Sequence, residues 1–185
     1  MLRLTGGQFK GRVIQTVKDK AVRPTTGKVR ESVFQILGAR LDNAMFLDIF
    51  SGSGLMGFEA LSRGARRVIG IEQNSAHRTL ILKNAENLGL SAGQYSCQLG
   101  DAFKVVALMT PSQLDGGADV VFIDPPFRLE GIEVIVETLF ERGLVAPDGV
   151  VAWEYPARYP MTEIANATCY DTRHYGDSSV AFFQN

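Results

Sequence analysis

Asp48-Ile49-Phe50-Ser51-Gly52-Ser53-Gly54-Leu55-Met56-Gly57 decides how the rest of this chain is read. The segment leaves an apolar run, Met45–Phe50, and passes through Gly52, Gly54 and Gly57 in G-x-G-x-x-G spacing. It then enters Leu55–Arg63, which reads as a helix. Glycines between a strand and a helix allow a tight turn and a close approach of the backbone to a ligand. Glu72 closes the next apolar run, 20 residues after Gly52, where a carboxylate accepts hydrogen bonds from a ribose diol. Strand, turn, helix and acid in this order indicate an adenosine-containing cofactor on a doubly wound sheet. Asp48 narrows the choice. An acid at the carboxyl end of that strand would repel a diphosphate but welcome an α-ammonium or a sulfonium. S-adenosylmethionine is therefore favoured over a nicotinamide dinucleotide, whose pyrophosphate sits on the helix N-terminus.

Outward from this turn, strands and helices alternate. Arg67–Ile71, Tyr95–Leu99, Asp119–Ile123 and Gly149–Tyr155 read as strands. Ser75–Leu88, Ala102–Met109 and Gly131–Arg142 read as the helices between them. Helix-bounded strands imply right-handed crossovers and a parallel sheet. Thr168–Tyr175 and Val180–Gln184 have no helix between them and are expected to add an antiparallel pair. Before the body, Arg3-Leu4-Thr5 and Arg12-Val13-Ile14 read as a short hairpin around Gly6-Gly7 and Gly11. Arg23-Pro24-Thr25-Thr26 then leads into a helix from about Lys28 to Leu41, whose apolar positions repeat with a 3.6 period. The expected division is a basic extension over 1–42 and an α/β domain over 43–185.

The charge follows that division. The 185 residues carry 19 Lys and Arg against 20 Asp and Glu, a net charge of -1 that by itself argues against a polyanion-binding protein. Residues 1–30, however, hold eight basic side chains against Asp19 alone, +7, which leaves -8 on residues 31–185. Such asymmetry points to a polyanionic partner for the extension. Removing residues 1–20 is expected to weaken binding to that partner, flatten its salt dependence and leave cofactor affinity nearly unchanged.

A second motif, Asp124-Pro125-Pro126-Phe127, ends the strand Val120–Ile123. Ligands bind at that edge of open α/β sheets. The prolines stiffen the turn and remove two N–H donors, which leaves carbonyls and a carboxylate as acceptors. Phe127 offers a face on which a base can stack. Acceptors beside a stacking ring suit an exocyclic amine held in line with a methyl donor. Asp124 is also placed to take up the proton that the amine loses. Asp101 follows the third strand and would cap the helix that begins at Ala102.

These segments resemble known families. Asp48 to Gly54 is similar to motif I, D-x-x-x-G-x-G, of class I S-adenosylmethionine-dependent methyltransferases, and Asp124-Pro125-Pro126-Phe127 to motif IV, [DNS]-P-P-[YFW], of enzymes acting on exocyclic amines. Leu4-Thr5-Gly6-Gly7-Gln8-Phe9-Lys10-Gly11-Arg12, Arg23-Pro24-Thr25-Thr26-Gly27-Lys28-Val29-Arg30-Glu31 and Tyr175-Gly176-Asp177-Ser178-Ser179-Val180 look like the bacterial 16S ribosomal RNA guanine-N2 methyltransferase family. The resemblance covers nearly the whole chain. It implies a mostly parallel, seven-stranded, Rossmann-like sheet that methylates one guanine N2 in an assembled small ribosomal subunit or a late assembly intermediate. It implies that Asp48, Ser51, Gly52, Ser53, Gly54, Glu72, Asp101 and Ala102 hold the cofactor, with Arg23, Thr25 and Thr26 beside its methionine end. Asp124, Pro125, Pro126 and Phe127 would position the amine, and Lys10, Arg12, Lys28 and Arg30 would contact rRNA. The chemistry of the residues alone does not separate guanine-N2 from adenine-N6. A non-catalytic ribosome-assembly factor is the reading from a different class.

Other features are bland. No run of about 18 apolar residues exists, and Met1-Leu2-Arg3-Leu4-Thr5-Gly6-Gly7 turns polar too soon for a signal peptide, so a cytoplasmic monomer is expected. Cys97 and Cys169 have no metal-ligand spacing and read as reduced, buried thiols. His77 and His174 read as structural or surface residues, Trp153 as core, and no metal site is indicated.

Overall fold

The computed structural model describes residues 2–16 and 27–185. The N-terminal hairpin pairs β1 (Leu2–Arg3) with β2 (Val13–Ile14). Helix α1 (Gly27–Leu37) follows, ending in a 3-10 turn, Gly38–Leu41, so the expected single helix tightens at Gly38. Next come β3 (Met45–Ile49), α2 (Leu55–Ser62), β4 (Arg67–Glu72), α3 (Ser75–Asn87), β5 (Tyr95–Leu99) and α4 (Ala102–Leu108). After a 3-10 turn at Pro111–Leu114 stand β6 (Ala118–Ile123), α5 (Ile132–Glu141) and β7 (Val145–Pro156). The chain closes with β8 (Thr168–Tyr175) and β9 (Ser178–Gln184).

The main sheet has seven strands in the order β5-β4-β3-β6-β7-β9-β8. Neighbours from β5 to β7 are parallel, and β9 pairs antiparallel with both β7 and β8. β7 begins four residues before the expected Gly149, because the ladder with β6 opens at Ala118↔Val145 before an irregularity. The strand order reverses between β3 and β6, which opens a crevice at their carboxyl ends.

Alternation along the strands feeds two cores. Phe46, Phe122, Ala152 and Phe182 pack with Val33 and Phe34 of α1, Phe58 of α2 and Ile81 of α3. Leu47, Ile123, Trp153 and Phe183 face Val106 of α4 and Ile135 and Leu139 of α5. The hairpin belongs to the first of these cores, since Leu4 and Ile14 are buried within it. The chain changes architecture near residue 42, but its core runs through that point. Deleting residues 1–20 would therefore open the core, and the surface charges must be tested one side chain at a time.

Glu59 fixes the hairpin in place. Its fully buried carboxylate accepts the Thr5 and Gly6 N–H groups, the Thr5 hydroxyl at 2.6 Å and the Arg63 guanidinium at 2.8 Å. The C-terminal end of α2 thus carries the hairpin while its N-terminal end carries the glycine turn. One thiol departs from expectation: Cys97 is buried but Cys169 is exposed, because β8 is the edge strand. Among the described residues, no helix is long and apolar enough to cross a membrane.

Candidate active site

A cavity of about 690 Å³ opens at the switch point between β3 and β6. Ten of the residues expected at a site line it together: Asp48, Ser51, Gly52, Ser53, Glu72, Ala102, Asp124, Pro125, Pro126 and Phe127. The volume falls within the range of small-molecule and cofactor sites.

Local chemistry shapes the wall. Gly52 and Gly54 adopt positive φ, 55° and 75°, which an L side chain rarely tolerates. Gly54 and Asp101 do not line the cavity. Gly57 serves packing: a Cβ there would lie 2.8 Å from Tyr95 and from Val68. Phe50, a non-glycine residue at φ 64°, also lines the cavity and marks a strained turn that the sequence pattern did not flag. His77 is buried in the wall with Nδ1 3.8 Å from Glu72 Oε1, so it belongs to the site and not to the surface.

The acids divide the work. Asp48 is 2% exposed and accepts the Gly57 N–H at 3.2 Å. Burial, and then the nearby Asp124 and Glu72 carboxylates, push its carboxyl up to about 8 against that hydrogen bond. Glu72 accepts the Gly52 N–H at 2.8 Å and the Asn74 N–H at 2.7 Å, which fixes the glycine turn to the start of α3. Each oxygen keeps a second lone-pair direction for a hydroxyl. Asp101 caps α4 by accepting the Lys104 N–H at 3.1 Å, and its neighbours Gly100 and Ala102 form the wall.

The Asp124 N–H donates to the Ile49 carbonyl at 3.4 Å, which ties the proline turn to β3. Pro125 is buried, and Phe127 stands 43% exposed at the mouth beside Arg128. A buried acid and the acceptor-rich proline turn thus share one cavity.

The basic residues separate. Lys10, Arg12 and Lys28 are exposed, and Arg12 donates to the Asn87 carbonyl at 2.8 Å. Arg30 is 5% exposed, 3.6 Å from Glu59, and donates to the Arg3 carbonyl. It is a core residue and not part of the surface available to phosphate, a correction that the helix period of Val29 and Val33 could not give. Arg23, Thr25 and Thr26 lie outside the described residues.

A family model described as conserved hypothetical protein 95 matches residues 2–184. The chain is 30% identical over 184 residues to ribosomal RNA small subunit methyltransferase D of Haemophilus influenzae, covering 100% of this chain and 94% of that one. The chain belongs to this family. Membership makes it a methyltransferase, in keeping with the cavity. The solved structure described as putative methyltransferase yhhF from Escherichia coli has a TM-score of 0.86 at 30% identity, over 100% of this chain and 97% of that one. The fold alone extends further: a putative methyltransferase complexed with SAH matches at a TM-score of 0.66 and 16% identity, over 96% of this chain and 52% of that one.

Proposed function

We propose that this protein transfers a methyl group from S-adenosylmethionine to the exocyclic N2 amine of one guanine in 16S rRNA, within a small subunit or a late assembly intermediate. The observation that carries this reading is a single cavity lined by both the buried acid Asp48 and Asp124-Pro125-Pro126-Phe127. The names of the relatives support an rRNA substrate.

The residues present suit this cofactor. Burial holds the Asp48 carboxyl up to about 8, and a cationic amino acid moiety bound beside it would supply the counter-charge that its ionised form lacks. Glu72 offers its remaining lone pairs to a ribose diol, and Gly52 lines the cavity with no side chain of its own. When bound, the cofactor supplies an electrophilic methyl carbon on a sulfonium. Phe127 stacks on the target base, while Asp124 and the Pro125 carbonyl accept the amine hydrogens and turn the nitrogen lone pair towards that carbon. Asp124 would accept the proton that the amine loses on methylation. Lys10, Arg12 and Lys28 provide the phosphate contacts of the extension, and the protein acts as a monomer.

The test is labelled methyl transfer to unmodified small subunits and to naked 16S rRNA, with the product nucleoside identified by mass spectrometry. N2-methylguanosine is expected, and N6-methyladenosine would overturn the assignment of the base. Asp124→Ala should lose about 10²-fold or more in rate and keep cofactor binding in calorimetry. An unchanged rate would overturn the role of Asp124.

A further inference from the structure

Among the described residues that line the cavity, Arg128 is the only lysine or arginine, in company with the carboxylates of Asp48, Glu72 and Asp124. Its side chain is exposed, and among the described residues its guanidinium makes no ion pair and no hydrogen bond. Glu133, on the first turn of α5, accepts the Tyr159 hydroxyl instead. The backbone fixes where Arg128 stands. The Leu129 N–H donates to the Pro126 carbonyl at 2.8 Å, which closes a four-residue turn with Phe127 and Arg128 at its two central positions. The Asp124 N–H ties the start of this segment to β3, and Gly131, at φ 79°, caps α5 at its end. Consecutive Cα atoms lie about 3.8 Å apart. One stiff turn thus presents an aromatic ring and an unpaired guanidinium to the same cavity.

We propose that Arg128 grips the backbone phosphate of the target nucleotide while Phe127 holds its base. The inference rests on methyl transfer to an rRNA base at Asp124-Pro125-Pro126-Phe127, as argued above. A nucleotide carries a planar base and a phosphate joined through one ribose. A ring and a guanidinium on adjacent residues match those two groups, and the guanidinium fork suits two phosphate oxygens at once. Phosphate contacts set the position and orientation of a nucleic acid and carry no sequence information. Lys10, Arg12 and Lys28 can supply such contacts along the extension, but none of them lines the cavity. Arg128 does, so it places the target nucleotide itself. The cofactor also carries an oxyanion, its α-carboxylate. That group shares a carbon with the α-ammonium assigned to Asp48, which is 2% exposed, whereas Arg128 is exposed on the turn with Phe127. The phosphate is the better match.

The experiment measures kcat/KM for methyl transfer to unmodified small subunits at several KCl concentrations, with S-adenosylmethionine affinity read separately by calorimetry. Arg128→Ala should lower kcat/KM by about 10-fold to 10²-fold, the scale of a lost hydrogen bond to a charged group. Its plot of log kcat/KM against log salt should be shallower than wild type by about 0.7–0.9, the amount for one phosphate. Cofactor affinity should stay within about twofold. Arg128→Lys keeps the charge and loses the fork, so it should keep the wild-type slope at a rate between the other two. A merely structural role would lower the rate at every salt concentration and leave the slope of Arg128→Ala at its wild-type value, and that result overturns the proposal. Weakened cofactor binding with an unchanged slope would assign Arg128 to the cofactor carboxylate and overturn it as well. Wild-type protein that transfers no methyl group to the subunit or to naked 16S rRNA would overturn the rRNA reading, and this proposal with it.

Discussion

Asp48 should couple cofactor uptake to protons. Its folded carboxyl titrates near 8, above the ordinary 3.8 of an unfolded chain, chiefly because burial disfavours the anion. Its contribution to stability is therefore complete below about pH 4 and is lost as pH rises through about 8. A bound cation favours the ionised form, so affinity for S-adenosylmethionine should rise over the same window. Calorimetry at pH 7 in buffers of different ionisation enthalpy should show up to about one proton released on binding. Asp48→Asn should abolish that release and weaken binding by about tenfold or more; release that persists would assign the proton to another group. Asp48 and Glu72 were legible in the sequence because each stands at a fixed offset from the glycine turn. His77 was not, because nothing local distinguishes a wall residue from any other on the first turn of a helix.

Helix α2 shows what an element adds to its residues. Eight residues long, it is buried throughout, with the glycine turn at one end and Glu59 clamping the hairpin at the other. Burial holds the Arg30 guanidinium below its ordinary pKa, opposed by Glu59. Removing the buried partner leaves both Arg30 and Arg63 without this counter-charge. Glu59→Ala should therefore destabilise the fold by about 3–5 kcal/mol, read from urea unfolding. A loss below about 1 kcal/mol would mean that the hairpin docks mainly through Leu4 and Ile14. The sequence marked α2 as a helix by its place after the turn. Its acid is invisible to that reading, since a single Glu on a short apolar helix is normally taken as solvated.

Over the whole molecule, the near-neutral charge is a sum of a basic extension and an acidic body. Lys10, Arg12 and Lys28 remain exposed, whereas Arg30 is turned inward. Substituting the three exposed residues together with Ala should make the salt dependence of rRNA binding shallower by about 0.7–0.9 for each phosphate that is no longer neutralised. Cofactor affinity should hold, because none of the three lines the cavity. An unchanged slope would move the rRNA surface to the body, with Arg128 at the cavity mouth as the first candidate.

By itself the sequence determined the order of strands and helices, the parallel sheet with its antiparallel end, and half of the cavity wall. Those features are written in short-range terms: apolar periodicity, a glycine turn, an acid at a set distance, prolines after a strand. Only the tertiary structure decided that Arg30 faces Glu59, that Asp101, the expected cap of α4, does not line the cavity, and that Cys169 lies on an exposed edge. Each of these depends on which distant segments meet, and strand register and helix packing set that together for the whole chain.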